Sequence, residues 1–275
     1  MTLIYFAITN NCNLHCEHCS QDSGPGKKSL SENDISEIVC NLPYDTQEIM
    51  LTGGEVFTEK KLLYHTIISL RQRKFIQKPK ISVQTNGFWA RDKDIMQRRL
   101  DELVDLGVIY VEVSAADIYH RRAGLDMSIP RNLALELKKR NFGYKRKYIP
   151  HHRVFPAGRA WYMDPKYFGS PWFHQCEGLD QIGISSEGMA HPCTLMIKGT
   201  EIGDAKKTKM KKIMAAAKKR DMIRCLMRED GPMILAKKQG IDEVQIEEIL
   251  KATNSNSCGL CSYIFHYKVG DTPLL

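Results

Sequence analysis

Four short apolar, β-branched runs recur along the first half of the chain, at 3–9 (LIYFAIT), 48–52 (EIMLT), 80–85 (KISVQT) and 108–114 (VIYVEVS). Stretches of helical periodicity lie between them. Ser31, with Asp34 in the following turn, reads as the N-cap of one helix. Leu63, Ile67 and Leu70 share one face within 59–73. Met96, Leu100 and Leu103 do so within 92–106, where Gly107 supplies the stop. Another helix is expected at about 131–140, leading into an extended stretch at 144–155. Alternation at this pitch implies parallel strands joined by crossover helices, an open or closed barrel. Ligands of such folds sit beyond the carboxyl ends of the strands, so motifs that carry chemistry should fall where strands end.

They do fall there. Cys12, Cys16 and Cys19 (NNCNLHCEHCS) follow the first strand, and Thr52-Gly53-Gly54-Glu55 closes the second. Thr85-Asn86-Gly87 closes the third, and the stretch 112–117, which holds Glu112 and Ser114, closes the fourth. Gly-Gly-Glu and Thr-Asn-Gly each make a good turn on their own, but four polar motifs on one rim point to one site. Hydrophobic residues are 43% of the 275 and charged residues 26%, the balance of a globular protein. No apolar run approaches the ~20 residues of a membrane span. The N-terminal stretch lacks the positive start of a signal peptide and reads as a first strand, so a cytoplasmic location is expected. Disulfides are disfavoured in that compartment, and the nine cysteines point to metal instead.

Taken together, these residues resemble the radical S-adenosylmethionine (SAM) superfamily over roughly 1–155. CNLHCEHC matches its three-cysteine motif and GGE its methionine-binding motif; His18 stands where an aromatic residue is usual and is expected to stack near the adenine. The resemblance explains why three cysteines suffice. Clusters of the 4Fe–4S type are normally held by four thiolates; Cys12, Cys16 and Cys19 would leave one iron open for SAM. Reduction of SAM then yields a deoxyadenosyl radical that takes hydrogen from a substrate. A structural zinc site, completed by His15 or His18, is the alternative. By the same resemblance Gly53, Gly54 and Glu55 shape the turn at the methionine amino group, and Thr85, Asn86 and Gly87 lie near the cofactor. Ser114 binds the SAM carboxylate or ribose, and Arg122, or equally Arg121, pairs with the carboxylate. Glu112 is a candidate pocket acid, with packing or a structural hydrogen bond as its plain alternative.

Toward the C-terminus, Cys176, Cys193 in QIGISSEGMAHPC, and Cys258 and Cys261 in SCGLC resemble the SPASM or shorter twitch auxiliary-cluster domain. Four suitable cysteines imply one fully ligated auxiliary 4Fe–4S cluster; a zinc ribbon is the alternative. The expected architecture is an α/β partial (β/α)6 TIM-like barrel over 1–160. A small α+β twitch/SPASM-like domain follows over 161–275, with a β-hairpin and a helical insertion at about 205–252. HHRVFPAGRA (151–160) passes between the two cysteine sets, so Arg153 or Arg159 would bind substrate anions or take a substrate proton, unless it forms an interdomain salt bridge. Tyr148, His151 and His152 are weaker candidates of the same kind.

Net charge is +8, much of it in KKTKMKKIMAAAKKR (206–220). That stretch reads as an amphipathic surface helix or as a surface for an acidic partner; no nucleic-acid module accompanies it. Peptide-modifying members of the superfamily often carry a leader-binding domain ahead of the barrel, and none fits before Thr2. The expected substrate is therefore a small molecule of sugar or aminocyclitol type, with a peptide maturase making a crosslink or epimer as the other hypothesis. A reducing partner such as flavodoxin or ferredoxin is implied.

Overall fold

The computed structural model describes residues 3–114, 118–146, 154–169, 176 and 178–265. Its first half alternates as expected: β1 (Leu3–Thr9), α1 (Glu32–Asn41), β2 (Glu48–Gly53), α2 (Lys60–Gln72), β3 (Lys80–Thr85), α3 (Lys93–Asp105), β4 (Tyr110–Val113), α4 (Ile118–Arg122), α5 (Ser128–Lys139) and β5 (Gly143–Arg146). Ser31 caps α1 through a reciprocal pair of bonds with Asp34, which satisfies donors the first helical turn leaves open. The helix expected at 131–140 begins earlier, at Ser128, because Pro130 is compatible with a first turn.

The sheet owes its two faces to a period of two. Ile4, Phe6 and Ile8 of β1, Ile49 and Leu51 of β2, and Ile81 and Val83 of β3 are buried in one apolar cluster with Ile35, Leu63 and Leu100 of the crossover helices. The alternate positions Tyr5, Thr52 and Gln84 face a cavity on the other side. The sheet is open, in the order β5-β4-β3-β2-β1-β6-β7-β8.

Its second part is β6 (Gln181–Ile184), β7 (Met189–His191) and β8 (Gly203–Asp204). β6 pairs parallel with β1, Leu3 opposite Gln181 and Phe6 opposite Ile184; β7 and β8 follow antiparallel. The hairpin read from QIGISSEGMAHPC thus extends the core sheet, so one sheet runs across residue 160. Helices α6 (Met210–Ala217), α7 (Asp221–Leu226), α8 (Gly231–Lys238), α9 (Glu243–Ala252) and α10 (Ser257–Phe265) complete the chain. The stretch expected as one insertion divides its packing. Met210, Ile213 and Ala217 of α6 join the core of the sheet, while Leu226, Leu235, Ile249 and Leu260 of α7 to α10 form a second core around Trp161. The basic segment lies against α1, with Lys209 donating to the Cys40 carbonyl (2.9 Å) and Lys211 paired with Asp45 (3.3 Å). Its amphipathic reading describes what is seen.

A fully buried isoleucine on the added strand provides a test. Ile182→Ala should cost about 2–5 kcal/mol and lower the denaturation midpoint of the entire sheet in one transition. A shift confined to a separate minor transition would show that the region after 160 unfolds on its own.

Candidate active site

The loop after β1 is pinned by backbone bonds. Within the loop, Cys12 N–H donates to Gly24 O (3.1 Å) and Gly24 N–H to Asn10 O (3.1 Å). From β2, Gly54 N–H donates to Thr9 O (2.7 Å) and Glu55 N–H to Asn11 O (2.9 Å). The two glycines are needed because the chains nearly touch. A Cβ at Gly53 would stand 2.1 Å from Thr9 O, and one at Gly54 would stand 2.3 Å from Asn11 O. The close approach seen at Gly53 is thus to the chain's own first strand.

Glu55 is fully buried and ties the next motif in. Its carboxylate accepts from Phe57 N–H (3.1 Å), Thr85 Oγ1 (2.7 Å) and Asn86 N–H (2.6 Å). Thr85 Oγ1 accepts in turn from Gly87 N–H and Trp89 Nε1, both at 3.0 Å. The Asn86 amide donates to Asn13 Oδ1 within the cysteine loop (2.9 Å). Three motifs from three strand ends form one hydrogen-bonded body. Burial pushes the Glu55 carboxyl up to about 7 against the pull of these donors.

One cavity of about 680 Å³ is lined by all seven cysteines of the two sets. The sulfurs of Cys12, Cys19 and Cys193 have backbone donors. Leu14 N–H points to Cys12 Sγ (3.4 Å) and Ser23 N–H to Cys19 Sγ (3.3 Å); the N–H groups of Leu195, Met196 and Ile197 serve Cys193. Burial pushes the Cys12 and Cys258 thiols up to about 12. Cys193 and Cys261 are also raised by burial, and neighbouring cysteines of the set, Cys176 among them, oppose the ionisation of Cys193, Cys258 and Cys261. Such thiols carry their protons unless a positive centre takes the protons' place, which is what an iron–sulfur cluster provides; amide donors to sulfur are part of how proteins tune one. The donor set fits the group. Among the described residues no three His, Cys, Asp or Glu side chains form a single-ion site; the cysteines surround a cavity.

The other candidates divide. His18, Asn86 and Ser114 line the cavity with Gly53 and Gly54. His18 stacks on Tyr119 (centroids 4.8 Å apart) with His120 edge-on (5.0 Å). Ser114 Oγ donates to Thr85 O (3.1 Å). Arg122 lies outside the lining and is exposed, paired with Glu17 at 2.8 Å. Glu112, expected as a pocket acid, also stands back from it: Gln84 lines the cavity, donating to Glu112 Oε1 and accepting from Thr52 Oγ1, both at 2.5 Å. Arg159 lines the cavity, yet its guanidinium turns into the cysteine loop, donating to Cys16 O (2.8 Å) and Ser23 O (2.6 Å). Arg153, Tyr148, His151 and His152 fall outside the described residues.

Polar cavity residues that sequence reasoning passed over include Tyr5, Gln84 and Gln181. The available signal was alternation: Tyr5 falls between Ile4 and Phe6 and so takes the opposite face of β1, and Gln84 stands two residues before Asn86.

The model of the radical SAM superfamily matches residues 6–144. In sequence, the chain is 30% identical over 116 residues to the "Putative peptide biosynthesis protein YydG" of Bacillus subtilis (strain 168), a match covering 41% of this chain and 35% of that protein. The chain thus spans about a third of the length of that relative. Among solved structures, anSMEcpe with bound AdoMet aligns at a TM-score of 0.56 with 12% identity, over 82% of this chain and 84% of that one. BtrN in complex with AdoMet and 2-DOIA aligns at 0.56 with 14% identity, over 84% and 89%. At those identities the likeness is one of fold.

Glu55 provides a pH test of this hydrogen-bonded body. Its folded value lies above the ordinary 4.5, so its contribution to stability is complete below about 4.5 and lost as the pH rises through about 7. Denaturation midpoints of wild type and Glu55→Gln, compared across that window, should diverge, with the wild type showing the steeper decline. Parallel profiles would place the titration elsewhere.

Proposed function

The chain belongs to the radical SAM superfamily of enzymes, which use a 4Fe–4S cluster and SAM, and from that premise we propose that it abstracts hydrogen from a peptide substrate with an auxiliary 4Fe–4S cluster in support. The observation that carries the reading is the single cavity shared by both cysteine sets. Cys12, Cys16 and Cys19 would hold the SAM-binding cluster; Cys176, Cys193, Cys258 and Cys261 would hold the auxiliary one. When bound, the first cluster and SAM supply one-electron cleavage of the sulfonium bond and the hydrogen abstraction that follows.

The chain's own residues bind and orient. Gly53, Gly54, Asn86 and Ser114 present backbone and amide groups to the cavity beside the cysteine loop, where the polar end of SAM would lie. His18, already stacked on Tyr119, offers an aromatic edge to the adenine. Thr52 and Glu112 hold the Gln84 amide in one orientation, so that it meets a substrate without first paying for order. Leu195, Ile197, Leu226 and Pro232 supply apolar wall and keep water from the reacting centre.

The peptide reading draws on the name of the Bacillus relative. The polar floor of Thr52, Gln84 and Gln181 suits hydroxyl groups as well, and on that observation stands a second reading, a small polyhydroxylated molecule. A small reducing protein of flavodoxin or ferredoxin type would supply electrons. No described helix is long and apolar enough to cross a membrane.

Anaerobic reconstitution should give about eight irons per chain, four for each cluster; about four, or stoichiometric zinc, would remove the auxiliary cluster. With SAM and dithionite, deoxyadenosine should form, and Cys16→Ala should abolish it while leaving the second cluster in place. Cys258→Ala, checked for folding by circular dichroism because ligation contributes to stability, should lose substrate conversion more than SAM cleavage. Stimulation of deoxyadenosine formation by short peptides supports the peptide reading; stimulation by aminocyclitols alone replaces it with the second.

A further inference from the structure

The segment after the barrel grips the loop that carries the first three cysteines. Arg159 makes four side-chain bonds there: Nε to Cys16 O (2.8 Å), Nη1 to His15 Nε2 (2.9 Å) and Asp22 Oδ1 (2.8 Å), and Nη2 to Ser23 O (2.6 Å). Its backbone N–H donates to Cys19 O (3.0 Å). Gly158 makes the approach possible. Its φ is +56°, and a Cβ there would lie 2.4 Å from Ser20 O and 2.8 Å from Cys19 O. Two carbonyls of cysteine residues are thus held by one neighbouring residue that is remote in sequence.

The charge is placed selectively. The bonds of Arg159 to His15, Cys16, Cys19, Asp22 and Ser23 set its guanidinium against the first cysteine loop. The guanidinium side chain is only 14% exposed, whereas its partner Asp22 is 53% exposed and is also paired with Lys27. Arg159, Asp22 and Lys27 therefore carry net positive charge, with its least screened part against the cysteine loop.

We propose that Arg159 is a positioning residue for the SAM-binding cluster: with Gly158 it locks the Cys16–Ser23 turn, and its charge raises that cluster's reduction potential more than that of the auxiliary one. The inference rests on the cluster assignment made above. A reduced cluster is more negative than an oxidised one, so a poorly screened cation beside it favours reduction. The bonds to carbonyls act on the loop, and second-shell bonds of this sort govern how firmly a metal centre is retained.

The test uses the full chain, reconstituted anaerobically, with Arg159→Gln and Arg159→Lys. Iron per chain, the rate of iron loss to a chelator, and the midpoint potential of each cluster by EPR-monitored titration are measured. Arg159→Gln should lower the potential of the SAM-responsive cluster more than that of the auxiliary one and lose the first cluster's iron on the order of tenfold faster. Arg159→Lys should hold the potential near that of wild type yet lose iron faster, since an ammonium cannot span the same carbonyls. Equal shifts in both clusters, or an iron-replete Arg159→Gln with wild-type potential, overturn the proposal. If Arg159→Gln retains no iron, Arg159→Lys decides: wild-type iron retention overturns it, faster loss at wild-type potential supports it. A wild type holding no SAM-responsive cluster sinks the assignment itself, a different failure.

Discussion

The site depends on two backbone hydrogen bonds, from Gly54 N–H to Thr9 O and from Glu55 N–H to Asn11 O. A loop leaving a buried strand must find partners for its amides and carbonyls where no strand lies beside it, because an unpaired buried group costs about as much as a lost hydrogen bond. The end of β2 supplies them, and it reaches close enough only because positions 53 and 54 have no side chains. From that contact the rest follows. Glu55 is brought under the loop, captures Thr85 and the Asn86 amide, and Asn86 reaches back to Asn13. The geometry of the cysteines is inherited from strand ends rather than from the loop's own sequence.

Electrostatics then explains why such a scaffold is needed. Three thiols of one set and four of another lie round a common cavity, most of them buried enough that ionisation is resisted. Without metal, Cys12, Cys193, Cys258 and Cys261 are neutral, weakly bonding groups. With iron the same burial becomes an advantage, since low dielectric strengthens each thiolate–iron attraction and each N–H···S contact. The rigid loop lets the chain present these groups without reorganising when metal arrives.

Much of this was legible in the sequence, for a physical reason. Strand–helix alternation, the Ser31 cap and the placement of cysteine, Gly-Gly-Glu and Thr-Asn-Gly motifs at strand ends are local properties, written in consecutive residues. What was not legible involves partners far apart in the chain. Arg122 looked free to meet a carboxylate until Glu17 was seen beside it. Glu112 looked like a pocket acid because its strand faces the cavity, but Gln84 from the neighbouring strand stands in front of it. Arg159 carried the charge of a substrate ligand, and only the fold reveals carbonyls of residues 16 and 23 within its reach.

The pairing of β6 with β1 was the largest of these long-range facts, and it sets the separation of the two cysteine sets. β6 takes the free edge of β1, so Gly183 stands opposite Tyr5 on the cavity side of the sheet. The hairpin then turns back, and the loop that begins at Cys193 lies across Gly183. A Cβ at Gly183 would stand 2.5 Å from Cys193 O and 2.4 Å from Met196 Cγ, so a side chain there would lift the second set off the sheet. Gln21 fixes the same loop from the other side, donating to Leu195 O at 2.7 Å. The space between the two sets is therefore bounded by strands spaced about 4.8 Å apart and by one hydrogen bond between their loops. On the proposed reading, the two centres that would act on one substrate are held in register by a single sheet, where a flexible linker between independent units would leave their distance undefined.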